Sequence, residues 1–274
     1  MPRSPPSPSA SPPFSADPAP CPAKLKRSAG KVKAPSKKRA RLTVGEDETT
    51  QVTLLEEKHR LPLADADVFY IPEFIGDEQT AQKWHDELLK LPNWYQPTLK
   101  LYGKEITQSR KIAAFATDPE LTVKYSGQEV RMSYEYPPLL RKIQEDVQEK
   151  LGVKFNHCIL NLYEDGKVYI GNHRDNRENR VIASLSLGAP RTFIMTHDSP
   201  PSSAKPSKSK SKSSSPSAPA SPPPSLLYAH RFTLAAGSLV VMQGTTQQKW
   251  KHQIPKEAKV KGSRISLTFR QLVF

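Results

Sequence analysis

From Phe155 onward the chain breaks into short stretches rich in β-branched and aromatic residues: FNHCILNLY, KVYIGNH, VIASLSLG, RTFIMTH, RFTLAAG, SLVVMQG, WKHQIP and RISLTFR. So many short strands, split by turns, bury their apolar faces only by pairing into a closed or sandwiched antiparallel β architecture. The last stretch constrains that architecture most. Arg264, Ser266, Thr268 and Arg270 alternate with Ile265, Leu267 and Phe269, which gives a strand with one polar and one apolar face. An ordinary strand would turn its polar face to water. Two arginines and two hydroxyls could also line a cavity and hold an anion.

Two helices are expected upstream. DEQTAQKWHDELLKLP offers an N-cap at Asp77, apolar positions Ala81, Trp84, Leu88 and Leu91, and a stop at Pro92. PPLLRKIQEDVQEKLG offers a proline start, then Leu140, Ile143, Val147 and Leu151, then Gly152 as the stop. The expected fold class is therefore mainly β with flanking helices (α+β).

The 274 residues can hold one large domain or two small ones. The 27 prolines and the net charge of +14 mark part of the chain as non-globular. Residues 1–42 hold ten Lys/Arg against Asp17 alone, and residues 199–225 hold four lysines and no acid, so these segments carry all but one of the net charges. The expected organisation is a disordered, basic, Pro/Ser-rich tail over 1–54 and one domain over 55–274. A disordered low-complexity loop, 199–225, interrupts that domain. KLKRSAGKVKAPSKKRARL, Lys24 to Leu42, reads as a nuclear localisation signal, against the plainer reading of a solubilising tail that sticks weakly to nucleic acid. Cys21 and Cys158 alone make no disulfide framework, and no apolar run approaches a membrane span. A soluble nuclear protein with no membrane partner is expected.

GNHRDNRENR places His173 and Asp175 two apart at the end of an apparent strand, where both side chains point the same way. Imidazole and carboxylate suit a divalent transition metal, and two histidines with one carboxylate on one face of the ion serve non-haem Fe(II) oxygenation. His-x-Asp alone is weak, and a surface histidine beside an aspartate is the plainer reading. Of the later histidines, His197, His230 and His252, the last lies in WKHQIP, twelve residues before Arg264, and could close the site. Such an oxygenase needs a two-electron co-substrate, and 2-oxoglutarate carries two carboxylates. A buried carboxylate needs a charge-assisted partner, and arginine supplies one. Asn161 and Tyr163 share one face of a strand and could add neutral donors.

The order NLYEDG, HRD, WKHQIP, RISLTFR resembles the AlkB family of Fe(II)/2-oxoglutarate-dependent dioxygenases, over roughly residues 65–274 without the low-complexity loop. The likeness is greatest to the eukaryotic nuclear members that repair alkylated DNA. It implies a double-stranded β-helix (jelly roll) with an N-terminal nucleotide-recognition lid, using Fe(II), 2-oxoglutarate and O2. It implies His173, Asp175 and His252 as iron ligands. Asn161, Tyr163, Arg264, Ser266, Thr268 and Arg270 would form the 2-oxoglutarate site, where relatives usually have Asn in place of Ser266. The short hydroxyl predicts weaker co-substrate binding. KLYGKEITQSRKIAAFATDPELTVKYSG resembles the lid. There Tyr102 matches an aromatic finger that fills the gap left by a flipped base, Arg110 a position near the substrate, and Tyr125 and Val123 two base-contacting positions. Asn176 and Arg177 stand where relatives often carry acids that bind the damaged base, and Glu178 could serve if the loop shifts.

The implied activity is oxidative dealkylation of bases of the 1-methyladenine or 3-methylcytosine type in DNA, releasing succinate and formaldehyde, by a monomer. Two alternatives stand: the same chemistry on RNA or a protein, and a catalytically silent nucleic-acid-binding module.

Overall fold

The computed structural model describes residues 54–101, 104–125, 128–200 and 228–273. The basic tail up to residue 53, Tyr102 and the low-complexity loop beyond Pro200 lie outside them. The chain enters through β1 (Asp67–Ile71), α1 (Glu78–Leu88), the hairpin β2 (Thr98–Leu101) and β3 (Lys104–Thr107), and β4 (Lys111–Ala116). Three two-residue strands follow, β5 (Lys124–Tyr125), β6 (Gln128–Glu129) and β7 (Met132–Ser133), and then α2 (Pro138–Leu151). The remaining strands are β8 (His157–Tyr163), β9 (Ile170–His173), β10 (Asn179–Gly188), β11 (Arg191–His197), β12 (Ala229–Leu234), β13 (Leu239–Gln243), β14 (Trp250–Ile254) and β15 (Arg264–Leu272). A one-turn helix, α3 (Thr246–Lys249), precedes β14. Among the described residues no helix is long and apolar enough to cross a membrane.

All eight expected strands form. They divide evenly between a seven-stranded sheet, ordered β1-β13-β10-β15-β8-β4-β7, and a four-stranded sheet, ordered β12-β11-β14-β9. The chain passes repeatedly between the two, which is the double-stranded β-helix. One face of the large sheet packs on the helices: Leu140, Ile143, Val147 and Leu151 of α2 meet Phe115, Leu160, Leu267 and Phe269. Its other face looks toward the small sheet, with Ile182, Val240, Phe193 and Trp250 in a second apolar cluster.

α2 begins and ends where its sequence predicts, with Gly152 left-handed at φ 68°. Asp77 caps α1 through the amides of Gln79 and Thr80. The helix stops at Leu88 and not beyond Leu91, because the next amides fold back in tight turns and Trp94 Nε1 takes the Leu88 carbonyl at 3.1 Å. His85, and not Trp84, completes its buried stripe with Ala81 and Leu88. Lys111–Ala116 is a further correction. That stretch of the expected lid is a buried strand of the large sheet, paired along its length with β8. The β2–β3 and β5–β6 pairs form two small sheets of their own.

Because an L-residue in the left-handed region strains against its own carbonyl, Gly152→Ala is expected to destabilise the domain by about 1 kcal/mol. Urea denaturation followed by circular dichroism checks this.

Candidate active site

β15 runs in the middle of the large sheet, paired with β10 on one side and β8 on the other. Both of its faces are buried. Ile265, Leu267 and Phe269 join the helix-side core. Arg264, Ser266, Thr268 and Arg270 face the space between the sheets and line a cavity of about 990 Å³. Register then fixes the neighbours: β8 sets Tyr163 beside Arg264 and Asn161 beside Ser266, while β10 sets Ser186 beside Ser266 and Ser184 beside Thr268. Ser184 and Ser266 share a hydrogen bond of 2.8 Å.

Two fully buried arginines meet this region and differ in one respect. Arg191, 1% exposed, is satisfied at every nitrogen. Its Nε donates to Glu257 at 3.0 Å, Nη1 to the Asp165 carbonyl, and Nη2 to the carbonyls of Val168 and Pro255. Arg264, also 1% exposed, donates from Nη2 to Ser186 Oγ at 2.9 Å. Its Nε and Nη1 have no hydrogen-bond partner among the described residues. Burial pushes the Arg264 guanidinium down to about 10, and Arg191 adds to the shift, so the charge persists at neutral pH. A buried cation with two open donors in a cavity wall is built to receive an anion.

The small sheet carries the side chains expected from the sequence to ligate a metal. β14 pairs with β9 so that His252 lies opposite His173, with ring centroids 4.4 Å apart. Asp175 follows β9 and brings Oδ2 to 3.7 Å from His252 Nε2. His173 Nδ1 lies 2.8 Å from the Gly171 carbonyl, a contact that makes it the donor and leaves Nε2 with its lone pair. Phe193 stacks on His252 at 5.4 Å. Burial lowers both imidazoles, His252 to about 3, so both stay neutral and able to ligate. Burial raises Asp175, but Arg270, His252 and His173 together outweigh it and hold the carboxyl at about 2. Asp175 Oδ1 accepts from Arg270 Nη2 at 2.6 Å. No three His, Cys, Asp or Glu side chains among the described residues stand at metal-ligand spacing.

The other expected site residues scatter. Arg110 lines the cavity and donates from Nε to Asn161 Oδ1 at 2.8 Å. Asn176 also lines it. Val123 packs in a small core with Ala116, Leu121 and Leu272. The backbone of Tyr125 pairs with Gln128. Arg177 and Glu178 line a separate groove with Asp67 and Gln243, because the chain turns at Asn176, whose carbonyl takes both the backbone and side-chain N–H of Asn179. Sequence reasoning missed Ser184, Ser186, Phe193 and the Arg191–Glu257 pair. The alternation in VIASLSLG carried the two serines; nothing local marked the rest.

The sequence pattern of the 2OG-Fe(II) oxygenase superfamily matches residues 67–270. The chain belongs to that superfamily. It is 32% identical over 211 residues to the DNA oxidative demethylase ALKBH2 of Arabidopsis thaliana, covering 75% of this chain and 66% of that protein. Its identity to human ALKBH2 is 32% over 64% of this chain and 61% of that protein. Against human alpha-ketoglutarate-dependent dioxygenase alkB homolog 3 it is 31% over 55% of this chain and 48% of that protein. The match thus spans about two thirds or less of these relatives. The AlkB resemblance of the motifs agrees with these similarities.

The residues fit the family's groups. Two neutral imidazoles and an ionised carboxylate are the donor set for Fe(II), and the open N–H groups of Arg264 suit a 2-oxoglutarate carboxylate. The Arg191/Arg264 contrast is testable in protein free of metal and co-substrate. Arg191→Met should cost roughly 3 kcal/mol, since it leaves Glu257 and three carbonyls without their partner. Arg264→Met should leave stability unchanged or higher. Chemical denaturation of the two variants checks this.

Proposed function

We propose that this chain is an Fe(II)- and 2-oxoglutarate-dependent dioxygenase that removes N-methyl groups of the 1-methyladenine or 3-methylcytosine type from DNA. The observation that carries the chemistry is the open, buried Arg264 in the same cavity as His173, Asp175 and His252. Those three would hold iron. Arg264 would pair with one carboxylate of 2-oxoglutarate, with Asn161, Tyr163, Ser266, Thr268 and Arg270 around it. When bound, iron and 2-oxoglutarate supply O2 activation: 2-oxoglutarate leaves as succinate and CO2, the methyl carbon gains one oxygen, and the hydroxymethyl amine releases formaldehyde.

The substrate follows from what surrounds that centre. The cavity continues to the β2–β3 hairpin, where Thr98, Leu99, Ile106 and Thr107 line it and Ile106 is exposed. A hairpin that turns Leu99 and Ile106 to the mouth between two threonines suits a lid over an extruded base, with Tyr102 as the expected wedge. Tyr95 and Tyr169 stand in the cavity wall, each with a cation over one ring face, Arg131 at 4.9 Å and Lys256 at 4.6 Å, so a cationic base would stack on the opposite faces. The relatives named above as DNA oxidative demethylases favour DNA. Arg177 lines a different groove, away from the cavity, where it would be available to a phosphate. The basic segments 1–42 and 199–225 would bring nuclear import and salt-dependent attraction to phosphate.

Mass spectrometry of single- and double-stranded oligonucleotides carrying 1-methyladenine or 3-methylcytosine tests the proposal. With Fe(II) and 2-oxoglutarate, methyl loss should match succinate formed, and His173→Ala should fall to background. Succinate formation without methyl loss from either lesion would reject the substrate.

A further inference from the structure

β8 opens on His157, which lies in the FNHCILNLY stretch but has no part in the site described above. It is 0% exposed. It shares a strand face with Ile159, Asn161 and Tyr163, all of which line the cavity. Its cross-strand neighbours are Arg270 on β15 and Ala116 on β4. Neither ring nitrogen has a hydrogen-bond partner among the described residues. Burial pushes the imidazole down to about 3, with Arg270 adding to the shift and Asp175 opposing it. The ring is therefore neutral, with one N–H and one lone pair.

A fully buried side chain with two unsatisfied polar atoms lowers stability, and an apolar ring of similar size would not. The ring's surroundings give it a use. Arg270 holds Asp175 Oδ1 at 2.6 Å, and Asp175 is the carboxylate of the metal set. A guanidinium offers five N–H donors in a rigid plane, so whatever fixes that plane fixes the carboxylate it grips. The His157 lone pair is a buried, unoccupied acceptor at the cross-strand position beside Arg270.

We propose that His157 is a positioning residue for the metal site: its neutral imidazole orients the Arg270 guanidinium and, through it, the Asp175 carboxylate. This rests on reading His173, Asp175 and His252 as the metal ligands. It makes His157 a residue that trades stability for binding.

Full-length wild type, His157→Phe, His157→Leu and His157→Asn would be compared by two measurements. One is thermal melting of metal-free protein. The other is calorimetric titration of 2-oxoglutarate in the presence of Mn(II), which binds without turnover. The apolar variants should melt no lower than wild type yet bind about tenfold more weakly, the usual effect of removing a residue that orients a metal ligand. His157→Asn, which keeps a donor and an acceptor, should recover part of the loss. Leu repeats the test in a smaller volume should Phe prove too large. Unchanged binding in the apolar variants overturns the inference, as does a binding loss that only tracks a lower melting temperature with no recovery in Asn. If wild type itself fails to bind Mn(II) and 2-oxoglutarate, the metal reading falls first and the inference with it.

Discussion

The guanidinium of Arg264 sits at 1% exposure in the centre of the large sheet, and much of the site's chemistry follows from that placement. Moving a charge out of water costs several kcal/mol, recovered only by well-placed partners. Arg191 shows what full recovery looks like, with Glu257 and three carbonyls closing around it. Among the described residues Arg264 has the Ser186 hydroxyl and the Tyr163 ring beneath its guanidinium, and neither is an acceptor for its Nε and Nη1. Because β15 is held on both edges, Arg264 cannot swing out to solvent by moving its strand. The remaining route to stability is an anion entering the cavity, which couples co-substrate binding to stability by mass action.

The two sheets divide the chemistry between them. Strands β8, β10 and β15 of the large sheet present arginines, hydroxyls and an amide, which are groups for holding carboxylates. The adjacent strands β9 and β14 of the small sheet present the two imidazoles. Asp175, just past β9, crosses the gap to Arg270, so one ion pair links the proposed metal side to the proposed co-substrate side. His157 stands behind that link. Burial keeps both histidines neutral against the pull of Asp175, and Arg270 with the two imidazoles keeps Asp175 charged against its burial.

The strand pattern after α2 was readable because short β-branched runs between turns leave few alternatives, and all eight strands formed. That His173 and Asp175, and Arg264 and Arg270, line one cavity could be expected for a related reason: side chains on a strand recur at period two, so local spacing reports a shared face. The limits are equally physical. RISLTFR looks half-solvated by alternation, yet its polar face is closed by a second sheet that no local pattern announces. KIAAFA carries little alternation because both of its faces are covered, so its sequence alone does not separate it from the lid it resembles. Val123 was placed by likeness of sequence, whereas packing with Leu121 and Leu272 puts it in the core. Arg191 and Glu257 are 66 residues apart, a partnership that exists only in the folded register.

The central claim is that Arg264 is an anion site awaiting a 2-oxoglutarate carboxylate. Thermal melting of the full chain with Mn(II), with and without 2-oxoglutarate, tests it most directly. The wild type should melt higher when 2-oxoglutarate is added, while Arg264→Met should melt at the same temperature with or without it. If Arg264→Met gains as much as the wild type, the carboxylate binds elsewhere and the account of this strand is wrong.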